Sequence, residues 1–214
     1  MVTAPVSGRV RAINRGARRV LISVEIDIDP AAAPAVDFSE VGDVTTKEGL
    51  IQRLCASGLW TSFRTRPYSK VPDTASSTEA IFVTAMDTEP LAADPALVIA
   101  EAKDDFTRGL AAITKLTDGT TYVCRKAGSD VPGDGIERVE VAEFDGPHPA
   151  GLAGTHIHFL HPPTAETTVW TIGYQDVIAI GHMLETGRND ADRMVALSGP
   201  RAAKPRVLRV PAGA

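Results

Sequence analysis

The first 29 residues alternate between apolar and polar side chains, which is the pattern of a β-hairpin. Val10 and Ala12 share one face of the first strand, and every second residue from Val20 to Ile28 is apolar in the second strand. The segment Asn-Arg-Gly-Ala-Arg at 14–18 predicts the turn, because Asn and Gly tolerate positive φ. A lone hairpin is marginally stable in water, so we expect strands from elsewhere to cover it.

An alanine- and proline-rich spacer at 29–43 precedes a region in which strand and helix patterns alternate. Thr45 and Glu48 fit a capping box at the start of one helix, and Asp94-Pro95 fits the cap of a long helix that runs to Gly119. Because strands that alternate with helices form parallel sheets with crossover connections, we predict an α/β fold. The predicted strands are 80–85, 121–124, 136–141 and 169–172, and a last helix runs from 177 to 187.

Two strand patterns follow, at 194–197 and 206–210, and no partner strand follows the second of them. We therefore expect three parts, with boundaries at 1–29, 36–187 and 190–214. The middle part is predicted to be a Rossmann-like domain with a mainly parallel sheet and flanking helices.

Composition excludes several classes of function. The net charge is -5 over 214 residues, without a long basic run, which argues against nucleic acid as a partner. No apolar stretch approaches the roughly 18 residues of a membrane span. Cys55 and Cys124 are far apart and fit no metal-binding spacing, so they indicate reduced, buried thiols of a cytoplasmic protein.

Four of the five histidines fall between residues 148 and 161, which raises the question of a metal site. His156 and His158 share a face if the segment is a strand, whereas His158 and His161 lie one turn apart if it is a helix. Because the stretch holds no carboxylate and no cysteine pair, we favour hydrogen-bonded histidines beside a loop over a metal site. The four residues are His148, His156, His158 and His161.

Two segments are candidates for ligand binding. Asp87 and Glu89 follow a predicted strand, where open α/β sheets bind ligands, although loop solvation explains them equally well. Segment 60–70 combines aromatic and basic side chains, so it is able to hold a flat or anionic ligand or dock a partner protein. A surface loop anchored by its tryptophan is the alternative. Its candidate residues are Trp60, Phe63, Arg64, Arg66, Tyr68 and Lys70.

A series of motifs in one order along the whole chain resembles a known family, the A subunits of sodium-translocating NADH:quinone reductases. The motifs are APVSGRV and INRGA at 4–17, SGLW and RTRP at 57–67, AMDT and PLAADP at 85–95, KLTDG at 115–119, GPHPAG and GTHIHF at 146–159, and YQDVIAIG at 174–181. The resemblance implies that the chain is part of a longer subunit.

The same family is distantly similar to the flavin-binding subunit of complex I and to the C subunit of the Rnf complex. In those relatives a glycine-rich loop after the first helix cradles the flavin phosphate, whereas here Trp60, Phe63 and Arg64 would obstruct it. The resemblance therefore implies that this chain retains the fold of those relatives but has lost flavin and NADH binding. It also implies that the chain holds no iron–sulfur cluster. It also implies that 1–29 is part of a lipoyl- or biotinyl-like barrel-sandwich, lacking a carrier lysine, and that 190–214 begins a β-grasp domain.

The function implied by the resemblance is that of a subunit in a redox complex that couples NADH oxidation by quinone to sodium export. We expect no catalytic residue and no metal in this chain, and a role in binding ubiquinone. Trp60, Phe63 and Tyr68 would form the aromatic wall of the quinone site, and Arg64, Arg66 and Lys70 would supply its hydrogen-bond donors. Asp87 and Glu89 are further candidates for residues of this site. The expected partners are the other subunits, above all the membrane subunit beside the quinone, at the cytoplasmic face of the bacterial inner membrane.

Two alternative functions stay open at this point. The first is a purely structural docking subunit without a ligand of its own. The second is a flavin-binding NADH dehydrogenase subunit of the complex I type, which the missing glycine-rich loop disfavours.

Overall fold

A computed structural model of the protein describes residues 3–29, 31, 35–162, 164 and 167–213. In chain order the strands are β1 (Gly8–Arg15), β2 (Leu21–Ile28), β3 (Arg64–Arg66), β4 (Ala80–Ala85), β5 (Thr120–Lys126), β6 (Val139–Phe144), β7 (Val169–Gly173), β8 (Asp192–Leu197) and β9 (Arg206–Pro211). The helices are α1 (Lys47–Ser57), α2 (Pro95–Glu101), α3 (Lys103–Ile113), α4 (Ala153–Leu160) and α5 (Tyr174–Thr186).

A five-stranded sheet in the order β3-β7-β4-β5-β6 forms the centre of the structure. Strands β7, β4, β5 and β6 run parallel, and β3 runs antiparallel to β7 at the edge. This arrangement confirms the predicted α/β class and its mainly parallel sheet. The finer assignments, a Rossmann-like domain and a β-grasp domain with the stated boundaries, stay predictions.

Helices cover both faces of the sheet. Successive apolar side chains of β4 point to opposite faces, and the helices bury them on both sides. Ile81 and Val83 pack into the larger core, which α1, α2, α3 and α5 cover. Phe82 packs on the other face, where Ile157 of α4 covers it. Burial on both faces explains why β4 is a continuous apolar run.

The contact between α3 and α5 depends on two glycines that face each other. A Cβ atom on Gly109 would lie 2.0 Å from the carbonyl oxygen of Val177, and one on Gly181 would lie 1.8 Å from that of Asp105. Both distances are far below van der Waals contact, so only glycine permits the two backbones to approach this closely. The pair therefore fixes the spacing of the helices over the core.

Each end of the chain adds a two-stranded antiparallel hairpin. In β1–β2, Gly8 pairs with Ile28, and the register shifts near Ala12 and Arg15. Most apolar side chains of this hairpin are exposed, including Ile22 at 68%. At the other end β9 pairs with β8, so the expectation of an unpaired last strand is wrong, because its partner precedes it.

Among the predicted boundaries that differ from the structure, three concern the start of α1, the end of α2 and the start of β6. The N-cap of α1 is Thr46 rather than Thr45, since the Thr46 hydroxyl accepts the Gly49 N–H at 3.1 Å. The long helix after Asp94 breaks at Ala102, whose φ of -130° and ψ of 38° are not helical, and nothing in the sequence signals the break. Strand β6 begins at Val139, later than predicted.

Replacing Gly181 by alanine tests the helix contact. The added methyl group would overlap the Asp105 carbonyl, so we expect Gly181→Ala to lower the free energy of unfolding by about 1–3 kcal/mol or more. Urea unfolding followed by circular dichroism measures the change. The matched control is Gly154→Ala in α4, where a Cβ atom meets nothing within 4 Å and stability should hold or rise slightly. Equal stability of the two variants would contradict the close approach.

Candidate functional site

Segment 59–70 forms the outer edge of the sheet. After α1 ends at Gly58, whose φ is 83°, a 3-10 turn at Leu59–Ser62 leads into β3. Beyond β3 the chain turns back, and the Thr65 N–H donates to the Lys70 carbonyl at 2.8 Å. The position that the resemblance aligns with a flavin-phosphate cradle is thus a tight 3-10 turn.

Two of the predicted wall residues lie in the core. Phe63 has no exposed surface and Trp60 has 5%, and the Trp60 indole N–H donates to the Pro72 carbonyl at 2.9 Å. Both rings contact Trp170 of β7, at centroid distances of 5.9 and 5.5 Å. This corrects the expectation for Trp60 and Phe63, because buried rings do not form the wall of a surface site.

The remaining candidates of the segment differ in exposure and in whether their polar groups have hydrogen-bond partners within the protein. The Arg64 guanidinium donates to the carbonyls of Thr61 and Phe63, its own neighbours. The Arg66 side chain is half-buried, and its Nε–H has no hydrogen-bond partner in the described part of the chain. Tyr68 is 83% exposed at a left-handed φ of 81°, and the Lys70 ammonium lies 6.0 Å from its ring centre.

Asp87 and Glu89 follow the carboxyl end of β4, as predicted, in a loop that contacts a second loop. The Asp87 carboxylate accepts the Glu89 N–H at 2.8 Å. Thr88 joins the two loops, because its hydroxyl accepts the Gly151 N–H at 2.9 Å and lies 3.3 Å from His148 Nδ1. Glu89 Oε1 lies 3.6 Å from His148 Nε2.

Sequence reasoning missed Thr88 and Gly151 as partners in this contact. A Cβ atom on Gly151 would lie 2.7 Å from the Thr88 nitrogen, so the second loop needs glycine there. Thr88 lies in the motif AMDT and Gly151 in the motif GPHPAG, and both motifs carry the family resemblance. Membership in these motifs was the sequence signal that could have identified the two residues.

The two candidate segments lie at opposite ends of the sheet. Arg66 pairs with Val169 at the start of β7, whereas Thr84 of β4 pairs with Gly173 at the end of β7. Four residues of strand separate these levels by about 13 Å, and Tyr68 and Asp87 lie further out on either side. The structure therefore does not bring the predicted residues together into one site.

The histidines of residues 148–161 have separate partners. The segment is helical at α4, and His156 is fully buried, with its Nε2 at 2.9 Å from the Ala150 carbonyl. His161 Nε2 lies 3.0 Å from the Glu79 carboxylate. Among the described residues no three His, Cys, Asp or Glu side chains are grouped to hold a metal ion. The absence of a metal stays a prediction.

Burial changes the acid–base behaviour of several groups. It lowers the pKa of His156, against an opposing hydrogen bond to Ala150. Burial raises the pKa of the free Cys124 thiol to about 12. It also raises the pKa of Tyr174, and the charges of Asp87 and Asp94 add to this effect while a hydrogen bond from Gln175 opposes it. Tyr174 is thus a neutral phenol beside the acidic loop.

The fold is that of an α/β domain with helices on both faces and a hairpin at either end. Its residues 45–189 match the family model described as the NqrA second alpha/beta domain, and residues 1–29 match that of the NqrA N-terminal barrel-sandwich hybrid domain. The chain therefore belongs to the NqrA family.

Curated relatives agree with this assignment. The chain is 53% identical over 214 residues to the A subunit of the Na(+)-translocating NADH-quinone reductase of Saccharophagus degradans, and 52% identical over 216 residues to the corresponding subunit of Hahella chejuensis. Each comparison covers 99% of this chain and 48% of the relative, so the chain spans about half the length of the curated relatives it matches. None of the described helices is both long and apolar enough to cross a membrane.

Buried His156 makes stability depend on pH in a predictable direction. Its folded pKa is lowered from the ordinary 6.5, so below that value the unfolded chain takes up a proton that the folded protein resists. The free energy of unfolding should therefore fall with decreasing pH, by up to about 1.4 kcal/mol per pH unit from this residue. Urea unfolding at pH 7.5 and pH 5 measures the loss. We expect a smaller loss in His156→Gln, which cannot take up the proton.

The control for this pH dependence is His158→Gln on the exposed side of the same helix. Because His156 is unchanged in this variant, the loss of stability that is attributed to His156 should remain. A His156→Gln variant that loses as much stability at pH 5 as the parent would contradict the assignment of the effect to His156.

Proposed function

We propose that this chain works as the peripheral, cytoplasmic part of the A subunit in a sodium-translocating NADH:quinone reductase, where it helps bind ubiquinone. The identity of about 50% to such subunits along nearly the whole chain supports the complex. No catalytic residue is assigned to the chain, because its contribution is to hold the quinone beside the membrane subunit. The other subunits of the reductase are its partners.

One observation carries the location of the proposed quinone contact. Arg66 lies on the edge strand β3, half-buried, with an Nε–H that lacks an acceptor in the described part of the chain. Its guanidinium also forms no ion pair there, unlike Arg125, which holds both Asp134 and Glu143. The Nε atom itself is shielded from solvent, so a bound acceptor would contact the half-exposed guanidinium through its terminal nitrogens, and this contact would offset the cost of the unpaired charge. Quinones offer two carbonyl oxygens as acceptors.

The surface beside Arg66 supplies the other feature of a quinone site. A neutral, flat ring needs an apolar or aromatic surface next to the donor. With Trp60 and Phe63 in the core, Tyr68 is the aromatic side chain of this segment that remains available, at 83% exposure. Lys70, with its ammonium near the Tyr68 ring, is a second donor. The proposed contact therefore comprises Arg66, Tyr68 and Lys70, two residues apart along the turn.

A docking role for the same turn is the second candidate function, and a specific observation favours it. Tyr68 and Ser69 both have left-handed backbone conformations, with φ of 81° and 50°, although neither is glycine. An exposed tyrosine beside arginine is the type of residue that anchors protein interfaces. Under this alternative, Arg66 would pair with a carboxylate of the neighbouring subunit instead of with quinone.

Substitution of Arg66 in the assembled reductase tests the proposal. Loss of a direct donor should raise the KM for quinone, by about tenfold per 1.4 kcal/mol of binding lost, with the subunit still bound. Steady-state kinetics over a range of quinone concentrations measure this for Arg66→Ala and for Tyr68→Ala. Arg66→Lys keeps the charge at a different geometry, and we expect an intermediate KM.

The matched control is Arg206→Ala on β9, an exposed arginine whose guanidinium donates to the Lys204 carbonyl. It should leave the KM unchanged. Release of the subunit from the membrane by Arg66→Ala, detected by sedimentation, would favour docking over quinone contact. An unchanged KM with an intact complex would rule out both roles for Arg66.

A further inference from the structure

The turn that carries Tyr68 is closed at its base by one residue, Thr65. This residue lies in the middle of β3 and is half-buried. Its N–H donates to the Lys70 carbonyl at 2.8 Å, and its carbonyl accepts the Ser69 N–H at 2.9 Å. The backbone of Thr65 therefore holds both the last residue of the turn and the residue that follows it.

The side chain of Thr65 adds two more hydrogen bonds within the turn. Its hydroxyl accepts the Lys70 N–H at 3.2 Å and donates to the Pro67 carbonyl at 3.3 Å. Both bonds are longer than the backbone pair, so each is weaker than those. Together they use the donor and an acceptor of the hydroxyl, which thus links the two arms of the turn.

The closed turn has an unfavourable backbone conformation. Tyr68 and Ser69 have φ of 81° and 50°, in the left-handed region that residues other than glycine rarely adopt. Such conformations cost free energy and persist where surrounding contacts fix them. Thr65 supplies contacts of this kind, because it bonds to Pro67 before the pair and to Lys70 after it.

The core in turn holds Thr65. It pairs with Trp170 of β7, so the two side chains lie on the same face of the sheet. The Trp170 ring contacts Trp60 and Phe63. The Trp60 indole N–H also donates to the Pro72 carbonyl, just beyond the turn. The segment is therefore fastened to the same aromatic cluster on both sides of the turn, and Thr65 connects this rigid base to the exposed residues.

We propose that Thr65 is a positioning residue for the quinone contact, an inference that rests on the function proposed above. It holds the turn so that Arg66, Tyr68 and Lys70 keep the arrangement that binds the quinone ring. A turn that is already closed loses less conformational entropy when its ligand binds. The contribution of Thr65 is therefore to quinone affinity, and the rate of turnover at saturating quinone does not depend on it.

Thr65→Val in the assembled reductase tests this role, because valine keeps the branched shape and removes the hydroxyl. We expect the KM for quinone to rise by about three- to tenfold with kcat unchanged, as the loss of one or two weak hydrogen bonds implies. Thr65→Ser keeps the hydroxyl and should keep the KM close to that of the parent.

Hydrogen–deuterium exchange of the same complex without quinone tests the turn by itself. The peptide covering residues 64–71 should exchange faster in Thr65→Val than in the parent, because the Lys70 N–H loses its acceptor. The matched control is Thr107→Val in α3, which removes a hydroxyl that donates to the Lys103 carbonyl at 2.9 Å. This control should change neither the KM nor the exchange of 64–71.

The outcomes separate this inference from the proposed quinone contact. An unchanged KM for Thr65→Val, in a reductase whose KM does rise with Arg66→Ala, would overturn the positioning role and leave the contact standing. A lower kcat, or release of the subunit from the membrane, in place of a raised KM would also overturn it. If Arg66→Ala and Tyr68→Ala leave the KM unchanged as well, the contact itself is refuted, and the positioning role falls with it.

Discussion

The packing of three aromatic rings at the edge of the sheet is the interaction on which the candidate site depends. Trp60, Phe63 and Trp170 meet at centroid distances of 5.4 to 5.9 Å and are almost completely buried. Burial of such rings is among the largest contributions a side chain makes to stability, and edge-to-face contacts add to it. The cluster holds the segment after α1 against β7, and this fixes the short strand β3 in place.

The packing of these rings explains why the side chains of Arg66 and Tyr68 have defined positions at the edge of the sheet. With β3 held in register, Arg66 lies opposite Val169, and the following turn carries Tyr68 outward. An antiparallel strand of three residues would not be stable by itself, so the position of Arg66 depends on the rings beneath it. The aromatic residues thus position Arg66 and Tyr68, the residues of the proposed quinone contact, from within the core.

Prediction from sequence succeeded where a single periodicity governs an element. The apolar run of β4, the cap at Asp94 and the glycine that ends α1 follow from local rules, and the α/β class follows from their order. It failed where tertiary packing decides. The break at Ala102 contains neither proline nor glycine, and three residues are too few for β3 to show an alternation.

The candidate residues show the same division. Mixed aromatic and basic composition indicated segment 60–70 as a whole, but composition cannot tell which rings point inward, and two of them do. Likewise, the acidic loop was placed at a strand end from sequence, whereas its contact with His148 and Gly151 joins residues about 60 positions apart. Only the fold brings such residues together.

Hydrogen–deuterium exchange of the intact reductase tests the central claim most directly. The peptide covering residues 63–71 would be followed in the assembled complex with and without a quinone analogue. The account predicts slower exchange of this peptide on addition of the analogue, while peptides of α3 and α5 keep their rates. Exchange at 63–71 that does not respond to the analogue, in a complex shown to bind it, would contradict a quinone contact at Arg66 and Tyr68.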